Sequence, residues 1–376
     1  MYRLVFQKSV TVTGVNHGRH ISCVSPDRVW ISDWYNLILT NSTGHRLEQL
    51  KDVGCGWGVH TVNSDGDLIY IDSEHNINKL STDNKDKTTL IKYNTAPWIP
   101  LCVYSSPTTG DLMVGMCDTD PWTGKVVRYN SSGENIHTIQ HDKITAMGLY
   151  SLPIYITENR NGDVIVSDYY YGVVVTDRRG NYRFSYTGPP SGSGLWSHGI
   201  CTDALSHILV CDDQTQSIHI INCNGEFLSQ ILSPQHGIDR PFGLCYYEKT
   251  HKLWVGSLNN NTANIYKVVH RDSLTGTHKM DEEGAISSPG ESWIASLSKF
   301  GSDRPVIYGD SNRMDSGLGL SGIGIEESHE DLPDYSEESG GKRLKREKRE
   351  LAEEKDILIV TSKVNMPQNV SVKDLT

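Results

Sequence analysis

The chain has 376 residues, with 35 Lys+Arg against 46 Asp+Glu and a formal net charge of −11, a balance that excludes a basic domain tracking phosphate backbones. Gly at 34, Tyr at 18, Trp at 8 and Phe at only 5 suit a turn-rich all-β protein. No apolar run approaches the roughly 20 residues that span a bilayer, and no Cys-x-x-Cys pair is present, so helical membrane spans, zinc ribbons and RING-type sites are excluded.

The N-terminus opens on a lone strand pattern, Tyr2-Arg-Leu-Val-Phe-Gln, after which six units follow. The first covers His20 to Leu50, with Val29-Trp-Ile-Ser-Asp33 as its second strand, and the next runs from Gly58 to Tyr93 around Leu68-Ile-Tyr-Ile-Asp72. A third, Trp98 to His141, contains Leu112-Met-Val-Gly and Lys125-Val-Val-Arg-Tyr; a fourth, Leu152 to Thr187, joins Val164-Ile-Val-Ser-Asp168 to Gly172-Val-Val-Val-Thr-Asp177. The fifth reads Gly199-Ile-Cys-Thr-Asp-Ala-Leu-Ser-His-Ile-Leu-Val-Cys-Asp212, then Gln216-Ser-Ile-His-Ile-Ile-Asn-Cys-Asn-Gly225. The sixth, Arg240 to His270, has only three strands, among them Leu253-Trp-Val-Gly-Ser257.

Second strands therefore end at Asp33, Asp72, Met116, Asp168, Asp212 and Ser257, in steps of 39, 44, 52, 44 and 45 residues. Short strands at this period predict an all-β, six-bladed β-propeller over residues 1–270, because a small twisted sheet buries its faces only when neighbours stack around an axis. The N-terminal strand is expected to complete the three-stranded last blade and so remove an exposed edge. Asp65-Gly66, Asn161-Gly162 and Asn224-Gly225 supply the positive φ angles of tight turns.

Beyond residue 271 the repeats stop, and Ser, Gly, Asp and Glu dominate. Residues 271–376 hold 14 Lys+Arg against 21 Asp+Glu and read as a disordered acidic tail, with a short charged helix near 342–355. Ser316 and Ser321 lie in Asp315-Ser-Gly-Leu-Gly-Leu-Ser321, which resembles a doubly phosphorylated degron, so they are candidate phospho-switch sites. Most of the eight cysteines sit in apolar strands and read as buried thiols. Met1-Tyr-Arg leads into a strand with no apolar signal core, so a cytoplasmic protein is expected.

The fourth and fifth units resemble the NHL-repeat propeller: Gly-Ile-x-x-Asp, a hydrophobic run closing on Ser-Asp or Cys-Asp, then Asn-x-x-Gly-x-Phe. Across residues 1–270 the chain looks like the propeller portion of tripartite-motif NHL proteins. That resemblance implies a substrate- or RNA-binding module in ubiquitin-related pathways, without the RING, B-box and coiled-coil segments that carry ligase chemistry.

If strands a to d run from axis to rim, b–c loops and d–a crossovers share one face. Trp34, Tyr35, Trp122, Tyr169, Tyr170 and Tyr171 fall in b–c loops, and Trp57, Trp98 and Trp196 in crossovers, with Arg19, His198 and Arg240 beside the axial mouth. Aromatic and Arg side chains dominate binding hot spots, so these twelve residues are the expected partner-binding face. The expected partner is a protein, with RNA as the alternative and DNA, membranes and cofactors not expected. His-Glu-x-x-His, Gly-x-Ser-x-Gly and Walker patterns are missing, which points away from an enzyme. Calcium-dependent lactonases also use six-bladed propellers; Glu158, Asn159 and Asp203 are the residues to nominate for a metal, but they fall on the opposite, a–b face.

Overall fold

Short apolar runs, many closed by an Asn-, Asp- or Gly-containing turn, become six four-stranded antiparallel sheets. The computed structural model describes residues 2–270 apart from 55, 56, 83–85, 95 and 121. The expectations for residues 271–376, including Ser316, Ser321 and the charged helix, lie outside the described residues.

A first strand, β1 (Tyr2–Thr11), precedes blade one, which contains β2 (His20–Ser25), β3 (Arg28–Ser32), β4 (Leu37–Asn41) and β5 (Arg46–Leu50). Blade two contains β6 (His60–Val62), β7 (Leu68–Ile71), β8 (Ile77–Leu80) and β9 (Lys87–Ile91), and blade three β10 (Ile99–Ser105), β11 (Leu112–Thr119), β12 (Trp122–Tyr129) and β13 (Asn135–Ile139). Blade four holds β14 (Pro153–Glu158), β15 (Val164–Asp168), β16 (Gly172–Thr176) and β17 (Tyr182–Tyr186), and blade five β18 (Ser197–Thr202), β19 (Ile208–Asp212), β20 (Ser217–Ile221) and β21 (Phe227–Leu232). Blade six combines β22 (Pro241–Tyr247), β23 (Lys252–Ser257) and β24 (Thr262–His270) with β1, which pairs antiparallel to β24 from Tyr2↔His270 to Thr11↔Thr262.

The innermost strands β2, β6, β10, β14, β18 and β22 follow one another around the axis, and β22 returns to β2. Their neighbours β15, β16, β19 and β20 are buried along their whole length, because each is covered by the next blade on both faces. The outermost strands are partly open to solvent, as in the exposed and intermediate residues of β5 and β17.

Three glycines close the ring seam. A Cβ on Gly256 would stand 2.3 Å from the Gly18 carbonyl oxygen, one on Gly18 2.9 Å from the Gly256 Cα, and one on Gly243 2.9 Å from the Arg19 carbonyl oxygen. Backbone therefore meets backbone directly, with Gly18 N donating to the Ser257 carbonyl at 2.7 Å.

Candidate functional site

The aspartate that recurs at the end of four of the six b strands is a clamp. Asp168 accepts from the backbone N–H groups of Tyr170 and Tyr171 with one oxygen, both at 3.0 Å, and from Ser151 and Leu152 with the other, at 2.8 and 2.9 Å. It thus ties the b–c loop to the crossover entering its own blade. Asp33 does the same for Tyr35, Asn36 and Asn16, and Asp212 for Gln214 and Trp196. Burial holds the Asp168 carboxyl above the usual carboxylate range, against the pull of its four N–H donors.

The two units that depart from the pattern use other means. In blade three the β11–β12 ladder continues to Thr119↔Trp122, so a tight hairpin replaces the clamp. In blade six Ser257 Oγ accepts from Asn259 N at 3.2 Å. Replacing Asp168 with Ala leaves four buried or half-buried amides without their acceptor and is expected to cost about 3–5 kcal/mol in urea denaturation. Asp118→Ala, which removes the acceptor of one exposed amide, Asp120 N, is expected to cost under about 1 kcal/mol.

The clamped loops carry the predicted aromatics to one face, where they meet two fates. Tyr35 is 68% exposed, Tyr170 45% and Tyr171 46%. Trp57, His198 and Arg19, expected as contact residues, are instead buried: Trp57 lies in the inter-blade core, and His198 stacks on Phe242 with ring centroids 3.9 Å apart. The Arg19 guanidinium lies 3.3 Å from the Trp34 ring centroid and 4.8 Å from that of Phe242, so the mouth is packed shut around it. Burial pushes His198 down to about 3, overriding the nearby Asp213 carboxylate.

Other expectations also shift. Trp122 is the first residue of β12 and packs against the core, so it is not a loop tip. Trp98 is half-buried beneath the Lys125 ammonium, 3.9 Å from its ring centroid. Trp196 is half-buried, and Arg240 forks onto Asp213 with two bonds of 2.6 Å. The rings form a row with buried Trp57 at its middle: Trp34 and Trp57 meet edge-on with centroids 6.0 Å apart, Trp57 and Tyr169 lie 6.3 Å apart, and Tyr169 and Tyr170 5.1 Å apart. It runs from blade one to blade four, across the ring. The covering of Trp57 and the Gly18–Gly256 seam beneath Arg19 depend on contacts across the ring and have no local sequence signal.

Two cavities bounded by described residues follow the axis. One, of about 180 Å³, is the channel, lined by His20, His60, Tyr155 and residues on the inner strands. His20 and His60 stack with centroids 4.2 Å apart, and burial lowers both, His20 to about 3. The second, of about 420 Å³, opens on the a–b face at the ends of β10, β14, β18 and β22 and shares Tyr104, Cys245 and Tyr246 with the channel.

Glu158, Asn159 and Asp203 line the second cavity, but their donors are spent. Glu158 is held by Arg128 Nη2 at 3.1 Å and Ser106 Oγ at 2.6 Å, Asn159 closes its own turn and bonds Asp163, and Asp203 accepts from Leu205 N, His207 N and His207 Nδ1. This set does not fit a hard cation, which needs several convergent uncommitted oxygens.

No protein-family model matches the chain, and the curated proteins give no match. Solved structures do. The chain is similar to a provisionally named gluconolactonase (14% identity, TM-score 0.53, covering 72% of this chain and 94% of that one). It is also similar to a gluconolactonase from Xanthomonas campestris (10%, 0.51, 70% and 99%) and a protein of unknown function from Bacteroides thetaiotaomicron (12%, 0.53, 72% and 76%).

The chain is a six-bladed β-propeller. At such identities the likeness shows this fold alone, and the tripartite-motif NHL family is not among these similarities. The expectation that the chain is not an enzyme is corrected: rings of this shape include proteins named as gluconolactonases, so neither the propeller nor the missing motifs separate binding from catalysis. Among the described residues, no helix is long and apolar enough to cross a membrane.

Proposed function

We propose that the b–c face is a recognition surface that docks an extended segment of a protein partner along the aromatic track between blades one and four. The observation that carries this reading is the exposure of Tyr35, Tyr170 and Tyr171 at the two ends of that track, each held by an aspartate clamp. Rigid aromatic anchors lose little entropy on binding, which makes them effective hot spots. Substrate recognition of the kind that the NHL resemblance implies, in ubiquitin-related pathways, belongs to the same proposal. So does a cytoplasmic location, supported by seven free thiols among the described residues.

RNA is the rival, since bases also stack on aromatics. Against it, the cations beside the track are engaged within the protein: Arg19 on Trp34 and Phe242, Arg240 on Asp213 and Lys125 on Trp98.

A photo-crosslinking residue at position 35 or 171 of the full chain, compared with one at the distant exposed Ile136, provides the test. Protein adducts specific to positions 35 and 171 are expected. Substituting Tyr35, Tyr170 and Tyr171 together by Ala should weaken the captured partner by about 100-fold with little change in melting temperature. RNA adducts, or the same adducts at all three positions, would sink the reading.

A further inference from the structure

The 420 Å³ cavity on the a–b face lies on the side of the ring away from the aromatic track, and its size is that of small-molecule sites. Tyr104, Cys245 and Tyr246 line both this cavity and the channel, so they mark its inner end. The wall carboxylates Glu158 and Asp203 are buried and already bonded, and they present almost no surface to a ligand. Charge is offered at the opening instead. There Arg160 of blade four and Glu248 of blade six, with side chains 58% and 51% exposed, form an ion pair that reaches past blade five.

An exposed pair of this kind contributes little by itself, because water screens it and two flexible side chains must be held. It therefore yields to a ligand that satisfies both ends. An anion would take Arg160 and leave Glu248 unpaired, and a cation would do the reverse. A molecule carrying both charges leaves neither stranded. We propose that this cavity binds a free α-amino acid, its carboxylate on the Arg160 guanidinium, its ammonium on Glu248 and its side chain directed inward toward Tyr104 and Tyr246. The site is independent of the recognition track and stands or falls apart from it.

The test is a thermal-shift screen of the full chain against the twenty free amino acids, followed by calorimetric titration of the strongest. At least one amino acid is expected to raise the melting temperature and to bind with a Kd below about 1 mM. Its decarboxylated amine and its deaminated acid should each bind at least about tenfold more weakly. R160Q and E248Q should each lose a similar factor, whereas Ile136→Ala, on the exposed outer strand of blade three, should bind as wild type. The proposal is overturned if no amino acid binds at about 10 mM, if either singly charged analogue binds as well as its parent, or if both variants bind normally. The analogue series uses wild-type protein, so a variant that fails to fold does not remove the test.

Discussion

Deleting residues 1–9 is expected to lower the melting temperature by about 10 °C or more, on a scale of roughly 2–4 °C per kcal/mol for a domain of this size. The deletion removes seven of the nine registered pairs between β1 and β24, leaving Val10↔Ala263 and Thr11↔Thr262. It also strips Leu4 from the core that contains Tyr266 and Val268, and Phe6 from its edge contact with Tyr266 at 5.6 Å. β24 then becomes an open edge, so soluble aggregates seen by light scattering are expected alongside the lower melt. β1 is the one strand that joins the first residues of the chain to its last blade, and loss of that closure exposes both. A variant that melts like wild type would show that the ring does not depend on this strand.

Acidification from pH 7 to about 4.5 is expected to destabilise the propeller by about 5 kcal/mol, a large share of the roughly 5–15 kcal/mol that holds a typical domain. The cause is the buried imidazoles. His20, packed against His60 and Tyr155, and His198, packed on Phe242 near Arg19, Arg240 and Asp213, are both held at about 3, whereas an unfolded chain protonates its histidines near their ordinary value of 6.5. Between those values the unfolded state binds more protons than the native one, so stability rises with pH. The contribution is fully present above about pH 6.5 and is lost progressively as pH falls toward 3, at about 2.5 kcal/mol per imidazole by pH 4.5.

The carboxylates of Asp52 and Asp177, held below their ordinary range, add to the loss only at lower pH. Hydrogen bonds and a nearby lysine keep each ionised in the folded state, while the unfolded chain takes up their protons only below about 4. Urea denaturation across this range measures the effect. His198→Phe, which keeps the stacked ring, should remove about one proton from the slope between pH 6 and 4, and an unchanged slope would assign the acid sensitivity elsewhere.

Much of the architecture was legible because its signals are local. Gly66, Gly162 and Gly225 adopt the positive φ angles that their Asp-Gly and Asn-Gly pairs demand. Asp33, Asp72, Asp168 and Asp212 reveal the ends of the b strands because a carboxylate there accepts amides two to four residues ahead. The departures at Met116 and Ser257 fall where the structure closes the loop differently, by a longer ladder and by a serine hydroxyl. Depth was not legible in the candidate site: Tyr35, Tyr170 and Tyr171 reach water, while Trp57, His198 and Arg19 were assigned to a surface and are buried.

The amino-acid sequence by itself determined the number of blades, the strand order and the closure of the ring by the N-terminal strand. The blades follow from hydrogen-bond geometry and apolar alternation within some 45 residues of chain, and the closure from a lone N-terminal strand set against a last unit of only three strands. Only the tertiary structure decided which aromatics remain available, that the mouth is packed around Arg19, and that Arg160 meets Glu248 over a cavity on the other face. These join residues from different blades. Their proximity depends on how the blades close around the axis, where side-chain volume and the Gly18–Gly256 contact set the fit.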